Sequence, residues 1–269
     1  MHLAIIGYGN IAQTAVSWLH NRPVTRLTVL VRKAALDGTK QDDALAGAAR
    51  SVVVTDDIDA LIAATPDLVV ECAGHQAVRQ FAPAVLSAGL DMVLVSIGAL
   101  ADDALFDALE MAAKSGRGQM ILPAGAIGGI DLLAALALAG DTQVTYRGTK
   151  PPAAWRGTPA EKACDLEALT EACEFFSGTA RDAAMMYPKN ANVAATLALA
   201  GPGFDATQVR LIADPAAKGN AHAFEVESAA GRFSVQVDNS VSSGNAQTSV
   251  ATVYSVIREI NRKRETCVI

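Results

Sequence analysis

The stretch IIGYGNIAQTAVSWL, residues 5–19, decides the fold. Two isoleucines close a short apolar run, and the chain then passes through Gly7-Tyr8-Gly9-Asn10-Ile11-Ala12 into a helical pattern. The spacing is G-x-G-x-x-A. Gly7 permits a tight turn, Gly9 lets a pyrophosphate approach the backbone, and Ala12 lets helix and strand pack closely. The helix N-terminus adds N–H donors and a favourable dipole. Gly7, Gly9, Asn10 and Ile11 are therefore candidate contacts for a dinucleotide. An ordinary tight turn can carry the same glycines. The position of this one, after a first strand and before a first helix, favours the dinucleotide reading.

Outward from that turn, apolar runs at 3–7, 26–31, 51–54, 67–71, 91–96 and 119–123 alternate with helical patterns near 10–20, 57–64, 75–88 and 102–114. Near-continuous apolar strands separated by helices predict a parallel sheet covered on both faces. Right-handed crossovers make it a doubly wound, Rossmann-type sheet. The pattern changes after about residue 140: strands are expected at 142–149, 207–213, 221–228 and 232–238, with helical stretches at 161–174 and 190–200. The last segment reads as a helix from about 245, ending in basic residues that suit a helix C-terminus. The expectation is an α/β chain: a Rossmann domain over 1–123, a second α+β catalytic domain over 124–240, and a C-terminal helix within 241–269 that packs back on the first.

Composition narrows the function. The 269 residues suffice for one large or two modest domains, and 51% hydrophobic content supplies a core. A net charge of −6 without a long basic run argues against a nucleic-acid surface. Cys72, Cys164, Cys173 and Cys267 form no CxxC pair and no zinc-ligand spacing, so reduced thiols in a cytoplasmic protein and no metal site are expected. Strand pattern from His2 leaves no room for a secretory leader, and the longest apolar stretches are too short to span a membrane.

The second strand ends at VLVRK. An NAD-selective site usually places an acid there for the ribose 2′-hydroxyl, whereas Arg32 and Lys33 suit a 2′-phosphate, so the cofactor is NAD or NADP. The plainer alternative is two solvated charges on a loop. CAGHQA (72–77) and SIGAL (96–100) leave later strands with small residues, which makes Ala73 and Gly74 further cofactor candidates. In KGNAHAFEVES (218–228), alternation puts His222 on one face with Phe224 and Val226. An imidazole at the mouth of an apolar face is either structural or a proton carrier.

Taken together, IGYGNIA, VECAGHQAV, VSIGAL, LPAGAIGGIDLL, KPPAAWRGTP, YPKNANVAATLALAG, VRLIADP and NAHAFEVES resemble the L-aspartate dehydrogenase family nearly end to end. The resemblance implies a Rossmann domain with an α/β catalytic domain, usually as a homodimer. It implies NAD(P)-dependent oxidative deamination of L-aspartate to iminosuccinate, which hydrolyses to oxaloacetate and ammonia and can feed NAD biosynthesis. It matches His222 to the catalytic histidine, and Ala124 and Asn190 to cofactor contacts. A substrate with two carboxylates needs cations and hydroxyls, for which Lys189, Asn245, Thr248 and Ser249 are candidates; helix capping is the alternative role for Thr248 and Ser249. Where the family commonly reads Asn-Pro-Lys-Thr-Ser, this chain has Asn245-Ala246-Gln247-Thr248-Ser249 and so lacks a charge. Competing readings are a reductase of the homoserine-dehydrogenase or dihydrodipicolinate-reductase type and a non-catalytic dinucleotide sensor.

Overall fold

The structure, a computed structural model, describes residues 1–242 and 245–268, with the side chains of 241–248 outside that description. The chain divides into two units, Met1–Pro123 with Val253–Ile269, and Ala124–Thr252.

The first unit runs β1 (His2–Ile6), α1 (Asn10–Leu19), β2 (Val24–Leu30), α2 (Leu36–Lys40), β3 (Ala49–Thr55), α3 (Ile58–Ala63), β4 (Leu68–Glu71), α4 (His75–Ser87), β5 (Met92–Leu94), α5 (Asp103–Gly116) and β6 (Met120–Ile121). All neighbouring strands pair in parallel, in the order β3-β2-β1-β4-β5-β6. This is the Rossmann-type order, and it reverses direction between β1 and β4. Leu3, Ile5, Leu27, Val29, Leu68 and Val70 form the buried layer of one sheet face, joined by Val16 of α1. Each such side chain contributes about 1.5–3 kcal/mol on burial. Val256 and Ile260, from the far end of the sequence, belong to the same core.

Two loops meet at the reversal point. Gly7 has φ +93, and a Cβ there would lie 2.7 Å from the Ala73 Cβ, so both backbone conformation and close approach require glycine. The Ala73 loop is in turn held by Glu71, a fully buried carboxylate at the end of β4. The backbone N–H groups of Ala73 and Gly74 donate to Glu71 Oε1 at 2.8 Å each, that of Ser96 donates to Oε2 at 3.1 Å, and the Ser96 hydroxyl donates to Oε1 at 3.0 Å. Burial pushes the Glu71 carboxyl above its ordinary range, and these donors pull it back.

The second unit continues with α6 (Ile130–Ala137), β7 (Gln143–Lys150), α7 (Ala160–Ala163), β8 (Cys173–Thr179), α8 (Ala180–Met186), α9 (Asn192–Ala200), β9 (Gln208–Ala213), β10 (Asn220–Ser228), β11 (Gly231–Asn239), β12 (Val241–Ser242) and β13 (Asn245–Ser249), before α10 (Val250–Arg262) leads back to the first unit. Its five-stranded sheet has the order β11-β10-β7-β9-β8 and is mixed, with β7 and β9 parallel and the other pairs antiparallel. Period-two alternation turns Val144, Tyr146, Gly148 and Lys150 of β7 inward, together with Asn220, His222, Phe224 and Val226 of β10. The almost wholly buried α9 packs against β7.

Three local expectations are corrected. Residues 161–174 do not form one helix: α7 stops at Ala163 and β8 begins at Cys173. There, Phe175 and Phe176 pack on Trp155 and Tyr187 as aromatic strand residues do. Residues 245–249 form a strand, and the last helix starts at Val250. The buried helical spacing of Val253, Val256, Ile257 and Ile260 begins only there. Cys164 and Cys173 are bonded as a disulfide rather than free, with Cα atoms 6.7 Å apart. The chain folds back between α7 and β8, which a nine-residue spacing does not reveal. Cys72 and Cys267 are free.

Glu71→Ala leaves three backbone N–H groups without their acceptor; that of Ser96 is buried, while those of Ala73 and Gly74 are within reach of water. One unsatisfied buried group costs about 1–3 kcal/mol, so the variant is expected to lose about 1–3 kcal/mol in urea unfolding. A loss below about 1 kcal/mol shows that water replaces the carboxylate.

Candidate active site

The first unit supplies a dinucleotide cradle. Gly9 is the N-cap of α1, no side chain caps that end, and no acid occupies its first turn. A Cβ at Gly9 or at Gly74 would meet nothing within 4 Å, whereas one at Gly7 would strike the neighbouring loop. Open space above Gly9, bounded by a helix N-terminus, is what an approaching pyrophosphate needs, and the residues present fit that group. Asn10 and Ile11 open α1, and Ala73 and Gly74 form the loop facing Gly7. Arg32 is exposed just past the end of β2, where a ribose 2′ substituent is read. His75 is the first residue of α4.

The second unit gathers polar groups on the inward face of its sheet. His222 is 3% exposed, and its Nδ1 lies 2.7 Å from the Tyr146 hydroxyl. Register places His222 opposite Gly148 and Phe224 opposite Tyr146, so the Tyr146 phenol reaches its partner by lying across Gly148. Burial first, and the charge of Lys150 second, hold the His222 imidazole down to about 3. It is therefore neutral at working pH. Burial also pushes the Tyr146 phenol up, which keeps it protonated.

Lys150 ends the same face of β7, is 4% exposed, and donates from Nζ to Asn190 Oδ1 at 2.8 Å. Burial lowers its ammonium to about 8. Asn190 is 5% exposed, and its Nδ2 is buried without a hydrogen-bond partner. Asn220, also inward on β10, donates from Nδ2 to the buried Ser249 hydroxyl at 3.2 Å. Asn239 donates from Nδ2 to the Ala126 carbonyl at 2.8 Å and so ties the loop that contains Ala124 to β11. Among the described residues, no group of three or more His, Cys, Asp or Glu side chains is arranged to hold a metal ion.

The second unit thus brings together His222, Asn190 and Ser249 of the sequence candidates. Ala124 is half-buried in its loop, while Lys189, next to buried Asn190, is exposed. Asn245 and Thr248 lie in β13 by their backbone, and their side chains, with that of Gln247, fall outside the described ones. Sequence reasoning missed Tyr146, Lys150 and Glu71. The signal for the first two was available: in YRGTK (146–150), strand alternation puts Tyr146, Gly148 and Lys150 on one face.

Comparison with known proteins follows the same division. Residues 7–123 match the family model described as homoserine dehydrogenase, NAD binding domain, and form an NAD(P)-binding domain. Residues 131–263 match the model described as aspartate dehydrogenase, C-terminal. The chain is 43% identical to an L-aspartate dehydrogenase of Cupriavidus taiwanensis over 265 residues, covering 98% of this chain and 97% of that one. It is 45% identical to that of Ruegeria pomeroyi over 264 residues, covering 98% and 92%. The crystal structure of aspartate dehydrogenase from Thermotoga maritima superposes with a TM-score of 0.77 at 25% identity, covering 100% of this chain and 99% of that one. A hyperthermophilic archaeal homoserine dehydrogenase, at TM-score 0.60 and 12% identity, shares the fold alone. No described helix is long and apolar enough to cross a membrane. By its identity to these curated relatives along almost its whole length, the chain belongs to the L-aspartate dehydrogenase family.

Proposed function

We propose that this chain catalyses NAD(P)-dependent oxidative deamination of L-aspartate to iminosuccinate, and thence to oxaloacetate and ammonia, or the reverse amination. One observation carries the reading: a buried, neutral histidine oriented by a tyrosine, at the position that matches the family's catalytic histidine. The wider reading assigns dinucleotide binding to residues 1–123 and substrate binding to the second unit. It includes a cytoplasmic homodimer whose imine can supply NAD biosynthesis, supported by family membership.

The bound oxidised nicotinamide supplies the hydride acceptor. Gly7, Gly9, Asn10, Ile11, Ala73 and Gly74 hold the dinucleotide at the β1 and β4 loops, and Ala124 and Asn190 match the family's cofactor-contact positions. His222 handles the protons. The Tyr146 hydroxyl and His222 Nδ1 share one hydrogen bond, and in the tautomer in which Nδ1–H donates, Nε2 is the acceptor. Nε2 takes a proton from the substrate ammonium before the α-hydride leaves, releases it to solvent, and then takes a second from the water that adds to the imine. Ser249 supplies a neutral donor to the substrate, Asn245 and Thr248 are candidates by their sequence positions alone, and Lys189 is exposed.

The direct test is reduced-nicotinamide absorbance with L-aspartate and either cofactor. Turnover of L-homoserine but not aspartate would sink the assignment. His222→Ala is expected to lower kcat by ~10²–10⁴-fold with cofactor affinity retained, since general acid–base groups contribute on that scale. Tyr146→Phe keeps the ring and loses the orienting oxygen, so kcat should fall less. Near-parental kcat in His222→Ala would move the proton chemistry elsewhere.

Arg32→Ala should weaken NADP binding by roughly ten- to a hundredfold and NAD much less, because only NADP carries the 2′-phosphate. Equal losses would show that Arg32 does not read the phosphate.

The depressed His222 also links stability to pH. In the unfolded chain it titrates near 6.5, so between about 6.5 and 3 the unfolded state binds the extra proton. Its contribution to stability is complete above that window and is lost as pH falls through it. From pH 7.5 to 5 the parent should lose roughly 1–2 kcal/mol more than His222→Gln in urea unfolding. Parallel losses would mean that the imidazole is already charged in the native state.

A further inference from the structure

We propose that Lys150 anchors one carboxylate of the substrate, with Asn190 Nδ2 as the second donor. The proposal rests on the reading of the second unit as a site for a dicarboxylate amino acid. Lys150 sits at the inward end of β7 with almost no solvent contact. Its partners are the Asn190 amide oxygen at 2.8 Å and the Trp155 ring, whose centroid is 5.3 Å away. Both suit an ammonium, since an amide oxygen accepts its proton and an aromatic face attracts its charge. Neither carries negative charge, and among the described residues no Asp or Glu forms an ion pair with it.

A buried cation without a counter-ion costs several kcal/mol, and a chain that needed only packing here would gain by an apolar residue of the same volume. A bound anion would supply the charge that the surrounding residues do not. Asn190 shows what shape it has. Its Oδ1 is taken by Lys150, while its Nδ2, on the same amide, is buried and unpartnered. An ammonium with an amide N–H beside it offers two adjacent donors, which is the requirement of a carboxylate. Nδ2 carries two hydrogens, so this role is compatible with a cofactor contact.

The location fits the chemistry. Lys150 leaves β7 on the same face as Tyr146 and Gly148, and His222 lies opposite Gly148 on β10. The Lys150 charge already acts on the His222 imidazole and disfavours its protonation. A carboxylate seated on Lys150 cancels that field, so substrate binding itself makes His222 a better proton acceptor. This assigns to Lys150 the role that its sequence position had suggested for the exposed Lys189.

The test uses succinate, the dicarboxylate that lacks the amine, in calorimetric titration of the protein saturated with NADP⁺. Lys150→Met should weaken succinate by roughly ten- to a hundredfold and leave the Kd for NADP⁺ within about threefold. Its melting temperature should change little, because the loss of an unpaired buried charge offsets the loss of its bond to Asn190 Oδ1. Lys150→Arg should retain more succinate affinity than Lys150→Met. For L-aspartate, Lys150→Met should raise KM by a larger factor than it lowers kcat. A succinate Kd that is the same in parent and Lys150→Met overturns the anchor, as does a melting temperature that falls while succinate affinity is kept. The two readings fail separately. A parent that binds succinate through Lys150 but does not oxidise L-aspartate refutes the proposed activity and keeps the anchor. A parent that oxidises L-aspartate, with KM unchanged in Lys150→Met, does the reverse.

Discussion

The Tyr146–His222 hydrogen bond passes over the one inward position of β7 that has no side chain. A Cβ at Gly148 would lie 2.6 Å from the Tyr146 oxygen, so a methyl group there would force the phenol away from the imidazole. The rest of the second unit follows from that geometry. Antiparallel register brings β10 alongside β7 with His222 facing the gap, and Phe224 beyond it seals the apolar end. The polar groups then line up from Tyr146 through His222 to Lys150, with Asn190 and Asn220 around them. A buried polar set of this kind is costly unless a ligand completes it.

The first unit solves a different problem with a similar economy of atoms. There one buried carboxylate, Glu71, collects three backbone N–H groups and a hydroxyl from the loops after β4 and β5. The carboxylate that ties those loops is itself fully buried. Gly7 then lets the β1 loop close against Ala73, and Gly9 leaves its own space clear.

Much of this was legible in the sequence, and the remainder was hidden for identifiable reasons. The turn at 7–12 could be read because local conformation and ligand approach constrain the same few residues. Parallel strands were visible as apolar runs. His222 stood out as an imidazole in an otherwise apolar alternation. Lys150 did not, because its meaning depends on the absence of an acid nearby, and absence of a partner is a tertiary fact. Glu71 was hidden too: its four donors come from loops up to 25 positions away. Lys189 and Asn190 share a sequence address but not a direction, and the chain buries Asn190 while exposing its neighbour. At 245–249 the sequence reads as the start of the last helix, with capping as an alternative role for Thr248 and Ser249, whereas the residues form a strand in which Ser249 is held by Asn220.

The placement of Val256 and Ile260 has a consequence for synthesis. The core of the first unit includes side chains delivered only after the whole second unit has been made. During translation the nascent parallel sheet waits with part of one apolar layer uncovered, and its closure is a contact of very long sequence separation. Such contacts form slowly, and exposed strands in the interval are prone to association. The intervening unit pairs all five strands of its main sheet within itself and is free to mature first. The order of folding along the ribosome is then expected to run against the order of the genetic message, with the earliest residues among the last to be locked.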